Sequence, residues 1–336
     1  MFQYVIKRVL LFIPTLIIIT VITFLVCRLA PGDPTEMRVG QTSEGIAAET
    51  LINQQAKDYY KKKFGLDKPI YQQYLIWMKN MIFEGDFGNS FKDDRPVIDK
   101  IMERLPITIT IQLASIFLIY IIAIPIGIYS AVKQYSFWDK TSTVILFVLY
   151  SLPSFWVATL AIIFLCNVEY LKIFPASGIE SITHESMTFI GKLWDRIWHL
   201  MLPVIVLSLG SFAFLSKQMR SAMLETIRQD YIRTAKAKGL ENKTVIYKHA
   251  LRNSLIPIIT LLASIFPAMV GGSFIIEQIF SIPGIGQLGI QGIFDRDYPL
   301  IMALLVLSSV LTIVGVLVAD LLYAVVDPRI AYTKKQ

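Results

Sequence analysis

Six runs without a charged residue divide this chain of 336 residues, and they constrain its fold more than any other feature. Most of them approach or exceed the roughly 20 residues that a helix needs to cross the hydrocarbon core of a bilayer. Hydrophobic residues make up 54% of the chain and charged residues only 17%, which excludes an ordinary soluble domain. The pattern therefore predicts an all-α membrane protein with six transmembrane helices. The predicted spans are residues 9–27, 107–132, 141–166, 200–216, 254–276 and 298–319.

The fourth run, 200–216, is the shortest. A helix buried in a protein core is the alternative interpretation there. His199 and Lys217 flank the run, and both side chains could reach the membrane interface from its ends. We therefore interpret it as a transmembrane span.

Basic residues in the short loops predict the orientation of the chain. Both termini, the loop 133–140 and the insert 217–253 share one side, and nine Lys and Arg residues lie in that insert. Because Lys and Arg in short loops mark the cytoplasmic side, we expect a multi-pass protein of the bacterial cytoplasmic membrane with both termini in the cytoplasm. The net charge of +7 then reflects membrane topology and does not indicate nucleic-acid binding.

This topology divides the chain into parts. A first transmembrane helix is followed by a small extracytoplasmic domain, in which Asp67 could cap a helix that has Pro69 in its first turn. Cys27 and Cys166 are expected to be packing residues, since two isolated cysteines form no metal or disulfide signature. The predicted parts are 1–30, the extracytoplasmic domain 31–105, a membrane domain 106–325 with a cytoplasmic coupling loop 217–254, and a cytoplasmic tail 326–336.

The coupling loop is patterned as a helix, a glycine corner and a second helix. Gly239 can adopt the left-handed conformation that ends a helix, and Asn242 could cap the second helix. Such an elbow, with small residues on one face and a basic rim, would fit a groove of another protein. The alternative is a solvated basic hairpin held by lipid head groups. Apolar residues recur at helical spacing through its first half: Leu224, Ile227, Tyr231 and Ala235.

The elbow resembles the EAA-x3-G loop with which membrane subunits of ABC importers dock on their ATP-hydrolysing subunits. Gly239 with Thr234 and Ala235 before it looks like that loop, although Arg233-Thr234-Ala235 stands where Glu-Ala-Ala is usual. The run HALR at 249–252 stands where Ile-x-Leu-Pro is usual. This departure and Arg233 are both similar to the dipeptide, oligopeptide and nickel importer branch. The resemblance implies docking through Tyr231, Arg233, Thr234, Ala235, Lys236, Ala237, Lys238, Gly239, Leu240 and His249.

Further motifs extend the resemblance across nearly the whole chain. All are similar to the B-type permease subunit of that branch, which implies a type I ABC importer fold and a peptide or nickel substrate. The implied partners are a second homologous permease, two ATP-binding subunits, an extracytoplasmic peptide-binding protein and membrane lipid. The motifs are LAPGDP at 29–34, FGLD at 64–67, GDFG at 85–88 with Ser90, LP at 105–106, PGIG at 283–286, RDYP at 296–299 and DPR at 327–329.

The chain itself lacks the signatures of an enzyme. No G-x-x-x-x-G-K-[ST] occurs, so ATP and Mg²⁺ are expected on partner subunits, with no cofactor or metal on this chain. A membrane-embedded enzyme would need a nucleophile or metal constellation, but His184, His199 and His249 lie in different regions of the sequence. The alternative of a secondary transporter would need an inverted repeat and an intramembrane ion site, and neither is evident.

Two sets of residues are candidates for the transport route. The glycines after Pro283 match the dinucleotide fingerprint G-x-G-x-x-G, but they lie in a predicted outer loop without a βαβ unit, so we expect a bent segment that gates the outer mouth. Asp320, at the inner end of the last span, could line the path or form a helix-end ion pair. The candidate gate residues are Pro283, Gly284, Gly286 and Asp297, and the candidate path residues are Gln112, Ser115, Ser208 and Ser211.

Overall fold

The computed structural model describes residues 2–29, 67–262, 265 and 271–326. These residues form helices and connecting turns, and the only β-type pairing among them is an isolated bridge between Asn89 and Pro96. Four of the helices are long and apolar enough to cross a membrane, and a bent pair of helices could form a fifth span. The predicted all-α membrane architecture is confirmed to that extent.

The helices vary widely in length, and three of them are extended by wider π turns. These turns are Asn80–Glu84 after α2, Ile162–Cys166 after α5 and Val245–Ala250 between α8 and α9, and a 3₁₀ turn covers His184–Ser186. In chain order the helices are α1 (Phe2–Leu29), α2 (Ile70–Lys79), α3 (Val97–Val132), α4 (Phe137–Ser151), α5 (Ser154–Ala161), α6 (Phe189–Ile227), α7 (Asp230–Ala237), α8 (Asn242–Thr244), α9 (Leu251–Leu262), α10 (Phe274–Ile279), α11 (Ile285–Phe294) and α12 (Tyr298–Val326).

Four of the predicted spans coincide with the long helices α1, α3, α6 and α12. The shortest charge-free run lies inside α6, which has 39 residues and is the longest described helix. His199 does not mark the end of a span, because it is buried within α6. α3 passes through Leu105 and Pro106 without a break, so residues 97–105 continue the helix of the second span.

The predicted third span, 141–166, is not one straight helix. α4 ends at Ser151, α5 begins at Ser154, and the two helices meet at an angle of 93°. Leu152 adopts an extended conformation, with φ of −82° and ψ of 127°, because the ring of the following Pro153 disfavours the helical region for the residue before it. The break is therefore a local effect of one proline.

The predicted fifth span, 254–276, also differs from a single helix. α9 ends at Leu262, and residues 263–264 and 266–270 lie outside the described residues. Ile276 belongs to the separate short helix α10. Gly272, with φ of +60°, has the left-handed conformation that a continuous helix does not contain.

Two predicted helix caps are wrong. α2 begins directly after Pro69, which is its N-cap residue, and no side chain caps it, so Asp67 has no capping role. α8 begins at Asn242 itself and has Glu241 as its N-cap residue, again without a side-chain bond. The predicted features at 30–66 and 327–336 lie outside the described residues.

α3 and α6 form the central helix pair, and a glycine allows their close approach. A Cβ added at Gly127 of α3 would lie 2.6 Å from Cβ of Met219 and 2.7 Å from the carbonyl oxygen of Ser216 on α6. Ser216 Oγ also donates a hydrogen bond to the carbonyl oxygen of Ala123 at 3.1 Å. Small residues and hydrogen bonds between helices are the usual sources of helix association in a membrane.

A partly buried ion pair attaches α4 to this central pair. Arg220 of α6 donates from Nε to Oδ1 of Asp139 and from Nη2 to Oδ2, each at 2.9 Å. The backbone nitrogen of Tyr135 donates to Oδ2 of the same carboxylate, also at 2.9 Å. The bidentate geometry fixes the start of α4 against α6.

Candidate functional site

The elbow ends its first helix as the sequence predicts. Gly239, with φ of +78°, follows the end of α7. Its backbone nitrogen donates to the carbonyl oxygen of Lys236 at 2.9 Å, and that of Leu240 donates to the carbonyl oxygen of Ala235 at 3.4 Å. This pair of bonds is the Schellman arrangement, in which a left-handed residue turns the chain sharply away from the helix.

The elbow is anchored to the membrane helices by an apolar cluster that we name the elbow base. Ile232 and Ala235 of α7 are 0% and 8% exposed. Because buried side chains are close-packed, we expect a displacement of α7 to be passed on to the residues of α3 and α6 in the same cluster. The elbow base comprises Ala123, Ile128, Ala131, Leu215, Met219, Met223, Ile232, Ala235, Val245, Ala250 and Ile258.

The predicted apolar stripe is correct for Ala235 and wrong for Tyr231. Tyr231 is 43% exposed and its hydroxyl accepts a hydrogen bond from Nδ2 of Asn253 at 2.6 Å, while Ile232 takes the inward position. The reason is that α6 ends at Ile227 and a new helix, α7, begins at Asp230. Helical spacing counted along α6 therefore does not continue into α7.

Most of the predicted docking residues form an exposed rim that faces away from the elbow base. Ala235 is the exception, because its burial in the elbow base makes it unavailable to a partner protein. His249 is half-buried. The exposed rim consists of Tyr231, Arg233, Thr234, Lys236, Ala237, Lys238, Gly239 and Leu240.

Glu277 connects three helices around the residues predicted for the outer mouth. It is 3% exposed, and its Oε2 accepts a hydrogen bond from the backbone nitrogen of Gln287 at 2.8 Å, in the first turn of α11. Oε1 accepts from Thr108 Oγ1 of α3 and from the backbone nitrogen of Ser273, both at 3.3 Å. Thr108 Oγ1 in turn accepts from the backbone nitrogen of Ile285 at 2.8 Å.

Three glycines surround this carboxyl group, and we name them with Glu277 the glycine cradle. A Cβ added at Gly284 would overlap the carboxyl group, and one added at Gly272 would lie 2.7 Å from Oε1. At Gly286 it would lie 2.6 Å from the backbone nitrogen of Phe274. Gly284 and Gly286 belong to the predicted bent gate, and their lack of a side chain makes room for Glu277.

Asp297 joins two of the sequence motifs into one unit. Its carboxyl group is 1% exposed and accepts from Ser90 Oγ at 2.5 Å and from the backbone nitrogen of Phe91 at 2.9 Å. Lys100 Nζ lies 3.9 Å from Oδ2 and donates to Ser90 Oγ at 2.9 Å. Burial raises the pKa of the Asp297 carboxyl group, against the effect of these bonds and of the Lys100 charge. The segment before α3 is thereby attached to the start of α12.

Three of the four predicted path residues line one cavity of about 270 Å³ between α3, α6 and α9. Gln112 and Ser115 face it from α3 and Ser211 from α6, among mostly apolar neighbours. Ser208 lies behind it, 0% exposed, and its Oγ donates to the carbonyl oxygens of Val204 at 2.7 Å and Ser115 at 3.3 Å. Ser208 therefore serves helix packing.

Two of the three histidines meet, although the sequence separates them. His184 Nδ1 lies 2.8 Å from Oδ2 of Asp195, and His199 Nδ1 lies 3.3 Å from Oδ1. The backbone nitrogen of Ser181 also donates to Asp195, at 2.9 Å. His184 and Ser181 thereby tie a loop to α6, whereas His199 lies on α6 itself. Within the described part of the chain, no group of three or more His, Cys, Asp or Glu residues is arranged to hold a metal ion.

Comparison with known proteins agrees with this architecture. The chain is similar to the oligopeptide transport system permease protein AppB of Bacillus subtilis, with 43% identity over 333 residues that cover 99% of this chain and 100% of the relative. It is similar to the dipeptide transport system permease protein DppB of Alkalihalophilus pseudofirmus, with 37% identity over 99% of this chain and 100% of the relative. The peptidoglycan transport system permease protein YejB of Agrobacterium fabrum is 33% identical over 99% of each chain.

Two family models account for most of the sequence. The model of the binding-protein-dependent transport system inner membrane component matches residues 123–332, and the model of the N-terminal part of such membrane components matches residues 1–112. The chain therefore belongs to the family of binding-protein-dependent transport system inner membrane components, the permease subunits of ABC transporters.

Proposed function

We propose that this chain is the permease subunit of an ATP-driven ABC importer for peptides and forms half of its translocation path. The exposed rim, held on the close-packed elbow base, is the observation that carries the proposal, because it gives a partner a firm point of attachment to the membrane helices. The relatives named for oligopeptide and dipeptide transport support a peptide substrate.

The elbow docks on an ATP-binding subunit through the exposed rim. ATP and Mg²⁺ bind to two such partner subunits, and this chain is not itself an enzyme. Closure of the partners pushes α7, and the elbow base passes that displacement to α3 and α6. Exposed ion pairs contribute under about 1 kcal/mol each, so Arg233 and Lys236 steer the contact while the fit around Ala237 and Gly239 transmits force.

The assembled transporter contains a second homologous permease subunit and an extracytoplasmic peptide-binding protein. In the type I importer arrangement this chain contributes six spans, with both termini and the elbow in the cytoplasm and residues 31–105 outside the membrane. Peptides reach the path after release by the binding protein. The cavity with Gln112, Ser115 and Ser211 offers few polar contacts, which suits solutes of varied sequence.

The function is tested by reconstituting the four membrane-associated subunits with the binding protein in proteoliposomes. Radiolabelled dipeptides and longer peptides are expected to be transported only when ATP is supplied on the side of the membrane that carries the elbow. Peptide-loaded binding protein is expected to raise the rate of ATP hydrolysis. Uptake of a nickel complex with no response to any peptide would contradict the assignment of substrate. Uptake driven by an ion gradient without ATP would contradict the assignment to ABC importers.

A cysteine cross-link tests the docking surface. In a chain whose native Cys27 and Cys166 are replaced by Ser, Ala237→Cys is expected to form a disulfide with a cysteine on the ATP-binding subunit, because Ala237 lies on the exposed rim. The product is measured as a band of summed mass on a non-reducing gel. Lys172→Cys, an exposed position outside the elbow, is the matched control. A cross-link from Lys172 but not from Ala237 would place docking elsewhere.

Substitutions at Gly239 test whether the corner itself couples the two subunits. Gly239→Ala is expected to lower stability by only about 1 kcal/mol, since a Cβ there meets no atom within 4 Å and the penalty comes from the positive φ alone. Gly239→Pro cannot adopt that φ and loses the bond to Lys236, so ATP-driven uptake is expected to fall more than tenfold with the protein still in the membrane. Normal uptake by the proline variant would show that the corner does not transmit force.

A further inference from the structure

A cleft of about 420 Å³ lies where α1 ends, between α1, α2, the loop 85–91 and α12. Its walls are fixed by specific contacts. Thr20 Oγ1 of α1 and the hydroxyl of Tyr74 on α2 lie 3.0 Å apart, and the Phe24 ring stacks on Trp77 with centroids 5.9 Å apart. The loop 85–91 is held to α12 by the buried carboxyl group described above. These contacts fix the shape of the cleft within the fold.

Two nitrogen donors that line this cleft lack an acceptor. Arg28 Nε and Trp77 Nε1 are buried, and neither has a hydrogen-bond partner among the described residues. The Arg28 guanidinium lies 5.7 Å from the centroid of the Phe24 ring, and no Asp or Glu of the described residues neutralises its charge. Burying an unpaired cation and an unbonded indole N–H is unfavourable, so the site favours an anion that accepts from both.

The remaining lining residues favour an anion as well. Lys68 adds a second cation, so the cleft has two basic residues against one acidic residue, Asp86, which accepts a hydrogen bond from the backbone nitrogen of Gly88 at 2.7 Å. The face of α1 that carries Phe24 and Arg28 continues towards the start of the helix as a column of exposed apolar side chains: Leu10, Ile13 and Ile17 are 47% exposed or more. An amphiphile lying along α1 would thus place a charged head group at the donors.

We propose that this cleft binds the phosphate group of an anionic phospholipid whose acyl chains lie along α1. A guanidinium offers planar paired donors that match phosphate oxygens, and tryptophan is favoured at the level of lipid head groups. Basic pockets between membrane helices are typical sites for anionic head groups. Bound lipid would hold α1, the 85–91 loop and α12 together at one membrane surface, independently of the solute that is transported.

The experiment measures lipid binding to the full chain in its assembled complex. The complex is depleted of lipid in detergent, titrated with phosphatidylglycerol and examined by native mass spectrometry. Arg28→Gln is expected to weaken phosphatidylglycerol binding about tenfold, the effect of losing one charge-assisted hydrogen bond. Trp77→Phe, which removes the N–H and keeps the ring, is expected to weaken it by about threefold. Lys79→Gln, the same loss of charge at an exposed position of α2 outside the cleft, is expected to bind as the unaltered chain does.

Two further arms distinguish the source of the phosphate and a purely structural role for Arg28. Inorganic phosphate and a glycolipid without phosphate are expected not to bind. The complex is expected to have a higher melting temperature in nanodiscs of phosphatidylglycerol than in nanodiscs of glycolipid. The Arg28→Gln complex is expected to melt at the same temperature in both. Competition by inorganic phosphate would indicate a free-anion site and overturn the lipid assignment. An equal loss of melting temperature for Arg28→Gln in both nanodiscs would indicate an internal ion pair and overturn the proposal.

Discussion

Glu277→Gln is expected to reduce peptide uptake more than tenfold and to destabilise the glycine cradle by about 2 kcal/mol or more. Both oxygens of the Glu277 side chain accept hydrogen bonds, from Gln287 on one side and from Thr108 and Ser273 on the other. The amide of glutamine has one acceptor oxygen, so its NH₂ group would face a donor on one side. Uptake in proteoliposomes and thermal unfolding of the purified complex measure the two effects.

The matched control is Glu84→Gln, since Glu84 is exposed and the change of charge is the same. It is expected to unfold and transport like the unaltered chain. Thr108→Ser, which keeps the hydroxyl, is expected to retain most activity, whereas Thr108→Val leaves the backbone nitrogen of Ile285 without its acceptor. If Glu277→Gln and Glu84→Gln gave the same uptake and the same unfolding temperature, the glycine cradle would have no part in stability or transport.

Gly127→Val is expected to prevent stable insertion or to remove transport completely. Even the Cβ would lie 2.6 Å from Cβ of Met219 and 2.7 Å from the carbonyl oxygen of Ser216, so the side chain forces α3 and α6 apart. Overpacking of this kind usually destabilises a core by about 1–3 kcal/mol and occasionally by more, and here the clash includes backbone. The amount of folded protein in the membrane, measured by fluorescence-detected gel filtration, checks the expectation.

Graded variants separate overpacking from a general effect of losing glycine. Gly127→Ala is expected to retain part of the folded protein, because it introduces the Cβ contact without further atoms. Gly210→Ala, in the middle of α6, meets no atom within 4 Å and is expected to stabilise the helix by up to about 1 kcal/mol. Normal folding of Gly127→Val would mean that α3 and α6 separate at this level without loss of the fold.

The spans were largely predictable because hydrocarbon imposes a length and composition that a single sequence displays. Departures arose where a local backbone effect interrupts an apolar run. Pro153 bends the third span and Gly272 precedes a separate short helix, and hydropathy alone registers neither. α6 is longer than its charge-free run because charged residues such as Asp195 continue the helix beyond it.

The elbow was predictable from local signals, whereas the glycine cradle was not. Gly239 ends a helix through its own backbone, so the sequence alone indicates its conformation. The role of Glu277 depends on Thr108, which is far away in the chain, and on three glycines that only the fold brings together. An acidic residue directly after an apolar run was the one signal in the sequence that could have indicated it.

The length of α6 has a mechanical consequence. Its 39 residues span about 58 Å at 1.5 Å per residue, nearly twice the hydrocarbon thickness of about 30 Å. Asp195 fastens one end to a loop through His184 and the backbone nitrogen of Ser181, and the other end leads through a backbone bond from Gln229 to Thr226 into α7. Over such a lever arm, a pivot of about 5° at one end moves the other by about 5 Å. A small rotation at either surface is thus amplified into the displacement of a whole helical turn at the opposite one.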